Sequence, residues 1–516
     1  MVVDAGPDTC GAGDQPERSV TSAHIRKLGV KWGAPDGTTG PPPHGARARA
    51  RRAARHGVAI LGAAILHALI RRIAAGGYPG LVVGTGLSHA RAGRRGGVRG
   101  AEGVCPMTSS ELDSGTVLRA VDDAEGYVAR ICFKTGPPTL TGVELEWTVH
   151  DAVEPTRPVT RRRLRAALGA YAPTTLDPGS PAVPLPGSGA VSVEPGGQVE
   201  LSTVPCRSLR DLYERTRSDV DHLTGLLGAA GLVLGRTGID PYRPPVPVVD
   251  TPRYRAMRCA FDRLGVAGRT MMYSTAGLQL CVDAGTPAQV AERWAAAHAL
   301  GPPLLALFAT ARRHRGRDTG WASARMATWQ CIDPTRTRPV WAPGDAPVDP
   351  ATVWARYALA APLLCLRRDG DDWSVPPGVT FQDWLAGALP RPPTTDDLDY
   401  HLSTLFPPVR PRGYLELRYL DCQPAGEWIA PVGVLAALLG DDRTRDAARA
   451  VCEPVAGRWV EAARWGLRDP VVAVAARRVL DLAMRALDRT GLPTATRAEI
   501  ARIVARRLAA AEEDRP

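Results

Sequence analysis

From residue 107 onward the chain switches between two spacings of apolar residues, and four short segments keep a strict period of two. In residues 143–149, Val143, Leu145, Trp147 and Val149 point one way, and Glu144 and Glu146 the other. Residues 198–202 set Val199 and Leu201 against Gln198 and Glu200. Residues 275–283 set Ala276, Leu278, Leu280 and Val282 against Thr275, Gln279 and Asp283. In residues 414–420, Leu415 and Leu417 oppose Glu416 and Arg418. Helical spacing fills the intervals at 112–128, 208–227 and 287–310, and again in a tail over 432–513 broken at Gly440, Pro470 and Pro493. A Pro/Gly-rich loop covers 173–189, and the prolines of 241–252 exclude helix there. The pattern predicts an α+β fold in which one face of a sheet packs on helices.

The other face of that sheet carries carboxylates. Two glutamates on the same side of one strand lie about 7 Å apart, a spacing that suits two neighbouring cation sites or one site approached from both sides. Glutamate is a poor strand former, so its recurrence inside strands calls for a cause. Clustered carboxylates are driven toward protonation unless a cation compensates them. Magnesium prefers oxygen ligands and leaves room for substrate phosphates. Any one of these strands alone reads as the solvated side of a half-exposed sheet. Four together, with Gly-rich turns beside them, point to a functional face.

Charge divides the chain differently. The formal net charge is +11, yet residues 1–106 hold 15 Arg and Lys against 6 Asp and Glu, so the remaining residues are nearly neutral. Nothing in the body calls for a nucleic-acid partner. Residues 1–106 are rich in Arg, Ala, Gly and Pro and read as a disordered basic extension, with residues 107–516 as the folded body. Met107 opens a new style of sequence, M-T-S-S-E-L, and is a candidate start of the working protein. The apolar run 56–70, flanked by arginines, is shorter than the roughly 20 residues of a spanning helix. No membrane span is expected. The ten cysteines include no C-x-x-C pair, which disfavours a zinc ribbon or a dense disulfide framework and fits a reducing cytoplasm. Oligomeric state is not legible.

No G-x-x-x-x-G-K-[ST] loop occurs, so ATP phosphates would have to be held by metals and side-chain cations. Arginine, which meets carboxylate and phosphate as a fork, is concentrated in 316–338 and at Arg410, Arg412 and Arg418. Patterns for serine hydrolases, zincins and EF-hands are missing as well. His150, His401 and the Met271–Met272 pair read as structural, and each cysteine as a small core residue.

Four segments in order, G-V-E-L-E-W at 142–147, E-P-G-G-Q-V-E-L-S at 194–202, M-M-Y-S-T-A-G-L-Q-L-C-V-D at 271–283 and H-L-S-T-L-F-P-P-V-R-P-R-G-Y-L-E-L-R at 401–418, resemble the glutamate–cysteine ligases of the plant and proteobacterial type. The actinobacterial branch that feeds ergothioneine synthesis looks closest. The resemblance implies a glutamine-synthetase-like curved antiparallel sheet forming a funnel, with helices outside and a helical C-terminal tail. It implies that ATP, with Mg2+ or Mn2+, activates the γ-carboxylate of L-glutamate as a γ-glutamyl phosphate, which the amine of L-cysteine attacks. It carries metal binding to Glu144, Glu146, Glu200 and Glu416, with Glu194 beside them. Arg410, Arg412 and Arg418 become the catalytic cations, and Arg325, Arg253, Gln279 and Thr275 the substrate contacts. One departure is A-T-A-R at 309–312, where relatives often read A-N-S-P. The alternatives are a same-fold ligase with a different amine acceptor and a non-catalytic protein that kept the fold.

Overall fold

The structure, a computed structural model, describes residues 115–344 and 349–513. The basic extension, its apolar run and the proposed start at Met107 lie outside the described residues.

Ten strands are described: β1 (Thr141–Trp147), β2 (Val149–Asp151), β3 (Ala190–Val193), β4 (Val199–Ser202), β5 (Leu232–Leu234), β6 (Gly277–Val282), β7 (Arg313–His314), β8 (Arg317–Asp318), β9 (Val409–Pro411) and β10 (Leu415–Asp421). Six of them form one sheet in the order β3-β4-β1-β6-β10-β9. Every pairing in it is antiparallel. The four segments of period-two spacing are thus its four inner strands, β4, β1, β6 and β10. The edges β3 and β9 are short, and Pro411 in β9 is tolerated because an edge strand needs to donate on one side only.

The apolar half of the alternation is buried as expected: Val143, Leu145, Trp147, Val199, Leu201, Leu278, Leu280, Leu415 and Leu417 are all 2 % exposed or less. Helices cover this side. Leu209–Ala229, capped by the Ser208 hydroxyl, packs against β1, and Gly301–Phe308 packs against β10. The apolar stretch expected to be helical over 287–310 is two helices, Val290–Ala299 and Gly301–Phe308, parted where Gly301 and two prolines begin the second. The pattern placed at 112–128 is observed as Val121–Cys132, starting later because residues 115–120 are extended or bent.

The C-terminal tail breaks at Gly440, Pro470 and Pro493 as expected, and once more around Glu453–Arg458. Its helix Pro470–Ala486 stacks on Gly301–Phe308, which places the tail behind the sheet. Arg507 of the last helix, Thr494–Glu513, donates to Gln423 Oε1 (2.7 Å) and Glu427 Oε2 (3.0 Å). The Trp147 indole donates to the Gln423 carbonyl (2.9 Å), joining the end of β1 to the same loop. No described helix is long and apolar enough to cross a membrane. The described cysteines are all unbridged, five of them buried.

Candidate active site

The register brings the polar residues together. Glu146 stands opposite Glu200, Glu144 opposite Gln279 and Ser202, and Glu416 opposite Arg410 and Cys281. Opposed side chains on one face of a sheet are immediate neighbours, so the carboxylates of separate strands converge. Glu144, Glu200 and Glu416 are buried and Glu146 is partly buried. Glu194 joins them from the turn between β3 and β4, where its N–H bonds the Gln198 carbonyl at 2.8 Å.

This face has two flanks of opposite character. On the first, burial and the charge of Glu416 push the Glu144 carboxyl up to about 7. Burial and the charge of Glu146 do the same to Glu194, also to about 7. Burial, then Glu144, Glu194 and Glu146, drive Glu200 well above the usual carboxylate range. Glu200 receives one neutral donor, the Ser202 hydroxyl at 2.8 Å. Glu146 accepts from the Gly277 N–H (2.7 Å) and from Gln279 Nε2 (2.9 Å). Gly277 has a steric duty as well, since a Cβ there would collide with the Arg325 guanidinium.

The second flank is saturated with arginine. Arg410 grips Glu416 with two bonds, Nε to Oε2 at 2.5 Å and Nη2 to Oε1 at 3.1 Å. Its remaining nitrogen donates to the Leu405 carbonyl at 2.9 Å. Arg418 Nη1 lies 3.2 Å from Glu416 Oε2, and Arg412 Nη1 lies 4.0 Å from Oε1. Burial opposes the charge on Glu416, but the three guanidinium groups overcome it and hold the carboxyl at about 2. Arg412 sits in the β9–β10 turn next to Gly413, whose φ of +81° a larger residue would resist.

Gln279 spans the two flanks. Its Nε2 serves Glu146, and its Oε1 accepts from Arg418 Nη1. The indole of Trp329 lies beneath both Arg325 and Arg418, each guanidinium carbon 5.6 Å from the ring centroid. Arg325 donates to the Arg418 carbonyl at 2.9 Å. The Nε atoms of Arg325 and Arg418 are buried without a hydrogen-bond partner in the structure.

Several expectations change in detail. Arg410 has a bond on each of its three nitrogens, two of them to Glu416, so three of its five N–H donors are committed to the fold. Glu416 has both oxygens bonded to Arg410, which sets it apart from the other four carboxylates as a metal ligand. Thr275 ends the helix Ala267–Ser274 and donates its hydroxyl to the Met271 carbonyl at 2.7 Å, leaving the oxygen only as an acceptor. Arg253 is tied to Ser403 (3.1 and 3.0 Å) and stacked on Tyr400, and its charge reaches Glu194. Asp283 bonds the N–H groups of Thr139 and Leu140 (2.8 and 2.7 Å) at the opposite end of β6 from Gly277 and does not join the site. His150 is buried beside Asp240, His401 bonds the Ala358 carbonyl, and Met271 and Met272 are core. Sequence reasoning missed Trp329, although it lies inside the Arg-rich segment singled out, and Asp421.

The donor set on the first flank suits a hard divalent cation: buried or partly buried oxygens, mutual repulsion and, among the described residues, no arginine hydrogen-bonded to Glu144, Glu146, Glu194 or Glu200. Among the described residues no three His, Cys, Asp or Glu side chains stand as a preassembled metal cage. A cation here would share its shell with phosphate and water, the usual habit of magnesium.

Comparison with known proteins decides the family. The sequence profile of glutamate-cysteine ligase family 2 (GCS2) matches residues 140–511. The chain belongs to this family. Among its relatives, the glutamate–cysteine ligase EgtA of Mycobacterium tuberculosis strain H37Rv is 40% identical over 393 residues, covering 73% of this chain and 87% of that protein. EgtA of Mycolicibacterium smegmatis is 38% identical over 370 residues, covering 70% and 84%. The chloroplastic glutamate–cysteine ligase of Arabidopsis thaliana is 31% identical over 291 residues, covering 55% of each chain. The chain is thus an ATP-dependent ligase that makes γ-glutamylcysteine, and the polar face of its sheet lies wholly inside the matched region.

Proposed function

We propose that this glutamate–cysteine ligase carries out both halves of its reaction on the polar face of β4, β1, β6 and β10. The observation that carries the reading is the division of that face into an uncompensated acidic flank and an arginine-rich flank, bridged by Gln279. Glu144, Glu146, Glu194 and Glu200 would hold Mg2+, or Mn2+ in its place. Bound there, the cation neutralises the ATP phosphates and polarises the group being transferred.

The protein residues do the rest. Arg253 and Arg325 bind a carboxylate of L-glutamate, and Gln279 orients Glu146 and Arg418 toward each other. The γ-carboxylate oxygen attacks the γ-phosphorus of ATP, the bond to the β-phosphate oxygen breaks, and ADP leaves. Arg412 and Arg418 stabilise the negative charge on the transferring group. Arg410, fixed on Glu416, keeps that cluster rigid. The amine of L-cysteine then attacks the γ-glutamyl phosphate at carbon, phosphate departs and the amine loses a proton. No protein nucleophile is needed, because positioning and charge account for both steps.

The wider reading goes with this one. The polar face lines a funnel like that of glutamine synthetase, residues 107–516 act as one catalytic domain, and the enzyme works in the cytoplasm without nucleic acid. Its product enters ergothioneine synthesis. The test is ADP release with glutamate and magnesium, scanned across amino acids as acceptors. Cysteine should stand clearly above the rest, and a different best acceptor would replace the assignment. Hydroxylamine should trap the intermediate as the γ-hydroxamate of glutamate, whereas ATP consumed to AMP would indicate adenylation instead.

A further inference from the structure

Strand β10 does not keep its period of two to the end. Leu417 pairs with Leu280, but Leu420 pairs with Leu278, so two residues of β10, 418 and 419, stand against Gln279 alone. This bulge reverses the faces beyond it. Leu420 joins the apolar side with Leu278, and Asp421 comes to lie opposite Gly277, on the same side as Gln279 and Glu144. Unbroken alternation would have put Asp421 among the leucines.

Asp421 is completely buried. Its Oδ1 accepts from the Ser323 hydroxyl at 2.8 Å, and Oδ2 from the Thr310 N–H at 2.9 Å. Ser323 also caps the helix Ala324–Gln330, which carries Arg325 and Trp329. Thr310 donates its hydroxyl to the Cys422 carbonyl (2.8 Å) and accepts from the Gly238 N–H (3.0 Å). Arg325 Nη1 stands 3.9 Å from Oδ1. Burial pushes the Asp421 carboxyl up, and Arg325 is the first charge opposing it. One carboxylate therefore ties the departing A-T-A-R loop, the Arg325 helix and the end of β10 together.

We propose that Asp421 is a positioning residue for the ligase reaction: through Ser323 and its charge it holds Arg325 over Gly277, against Arg418, where the guanidinium meets a substrate carboxylate. This rests on the assignment of Arg325 to glutamate made above. A buried guanidinium with an unpartnered Nε needs a counter-charge that fixes its orientation without filling its fork. Asp421 at 3.9 Å from the nearer nitrogen does so. It also explains how the loop at 309–312 serves without the residues its relatives carry: Thr310 acts through its own N–H and hydroxyl on the β10 end.

Steady-state kinetics of the full chain test this with Asp421→Asn, Arg325→Lys and the double variant. Each single change should raise the KM for glutamate about tenfold, with kcat and the cysteine KM altered less than about threefold. The double variant should be no worse than the poorer single one, as two residues of one device are not additive. If Arg325→Lys raises the glutamate KM and Asp421→Asn does not, the positioning role is overturned while the Arg325 assignment stands. If Arg325→Lys leaves that KM unchanged, the assignment itself fails and the proposal with it. Should Asp421→Asn not fold, Ser323→Ala removes the hydroxyl donor to Asp421 together with the cap of the Arg325 helix and should raise the glutamate KM about threefold; an unchanged value overturns the proposal.

Discussion

The two flanks of the polar face treat the same side chain in opposite ways. Glu416 has three arginines about it and is held at about 2, whereas Glu144 and Glu194 have carboxylates as close neighbours and rise to about 7. Glu416 and Glu144 sit on one sheet and are buried, and Glu194 lies in the turn beside them, partly buried. What differs is whether the fold supplies the counter-charge. On the arginine flank the fold supplies more than the counter-charge of Glu416: Arg410 is bonded to it as scaffold, and Arg412 and Arg418 leave the flank with an excess of positive charge. On the acidic flank the counter-charge is not supplied, and the missing charge is the natural task of a bound cation. Burial alone therefore does not mark a functional carboxylate; burial without a partner does.

The strongest way to break this contrast is to unbalance the arginine flank. Arg410→Met leaves Glu416 without its two-bonded partner and should cost about 3–5 kcal/mol of stability, measured by denaturant unfolding. A loss below about 1 kcal/mol would mean that Glu416 does not depend on Arg410 for its counter-charge. On the acidic flank Glu144→Gln should do the reverse. Turnover should fall about a hundredfold or more, as when a charge-stabilising group is lost, while the melting temperature stays level or rises. A variant that unfolds would show Glu144 to be structural.

Solution pH sharpens the contrast further. For Glu144 and Glu194 the folded carboxyls bind protons more tightly than the unfolded ones, so stability without metal should fall as pH rises from about 4.5 to about 7. For Glu416 the folded carboxyl binds its proton more weakly, so its contribution is present above about 4.5 and is lost as pH falls toward about 2. Urea unfolding of wild type and Glu144→Gln across pH 4–8, with chelator present, checks the first slope. The wild type should lose stability toward pH 7 more steeply than the variant; equal slopes would contradict the acidic-flank account. The smallest change is Ser202→Ala, which removes the one neutral donor to Glu200. It should weaken apparent magnesium activation by about threefold to tenfold, the worth of one ordinary hydrogen bond.

The same contrast explains what could be read from the chain. The four inner strands were legible because each buries one face and the alternation records it, as Val143, Leu145 and Trp147 against Glu144 and Glu146 show. The edges were not: β3 and β9 are only four and three residues long, too short for a period to declare itself. Arg410 accordingly read as a residue before a strand, when it lies in β9 directly across from Glu416. The acid cluster was legible as composition on a face, but its division into flanks was not, since sequence spacing does not say which arginine reaches which carboxylate. Asp421 was hidden by the bulge, an irregularity that alternation cannot anticipate. Helix ends followed their chemistry more closely, as at Ser208 and Pro470.

The most direct measurement of the central claim is Mn2+ binding by electron paramagnetic resonance, in the presence of a non-hydrolysable ATP analogue, for wild type, Glu144→Gln and Glu200→Gln. The wild type should bind Mn2+ tightly, and each variant should lose affinity by about tenfold or more, the scale on which changes at a metal site act. Undiminished binding in both variants would place the cation elsewhere and contradict the account.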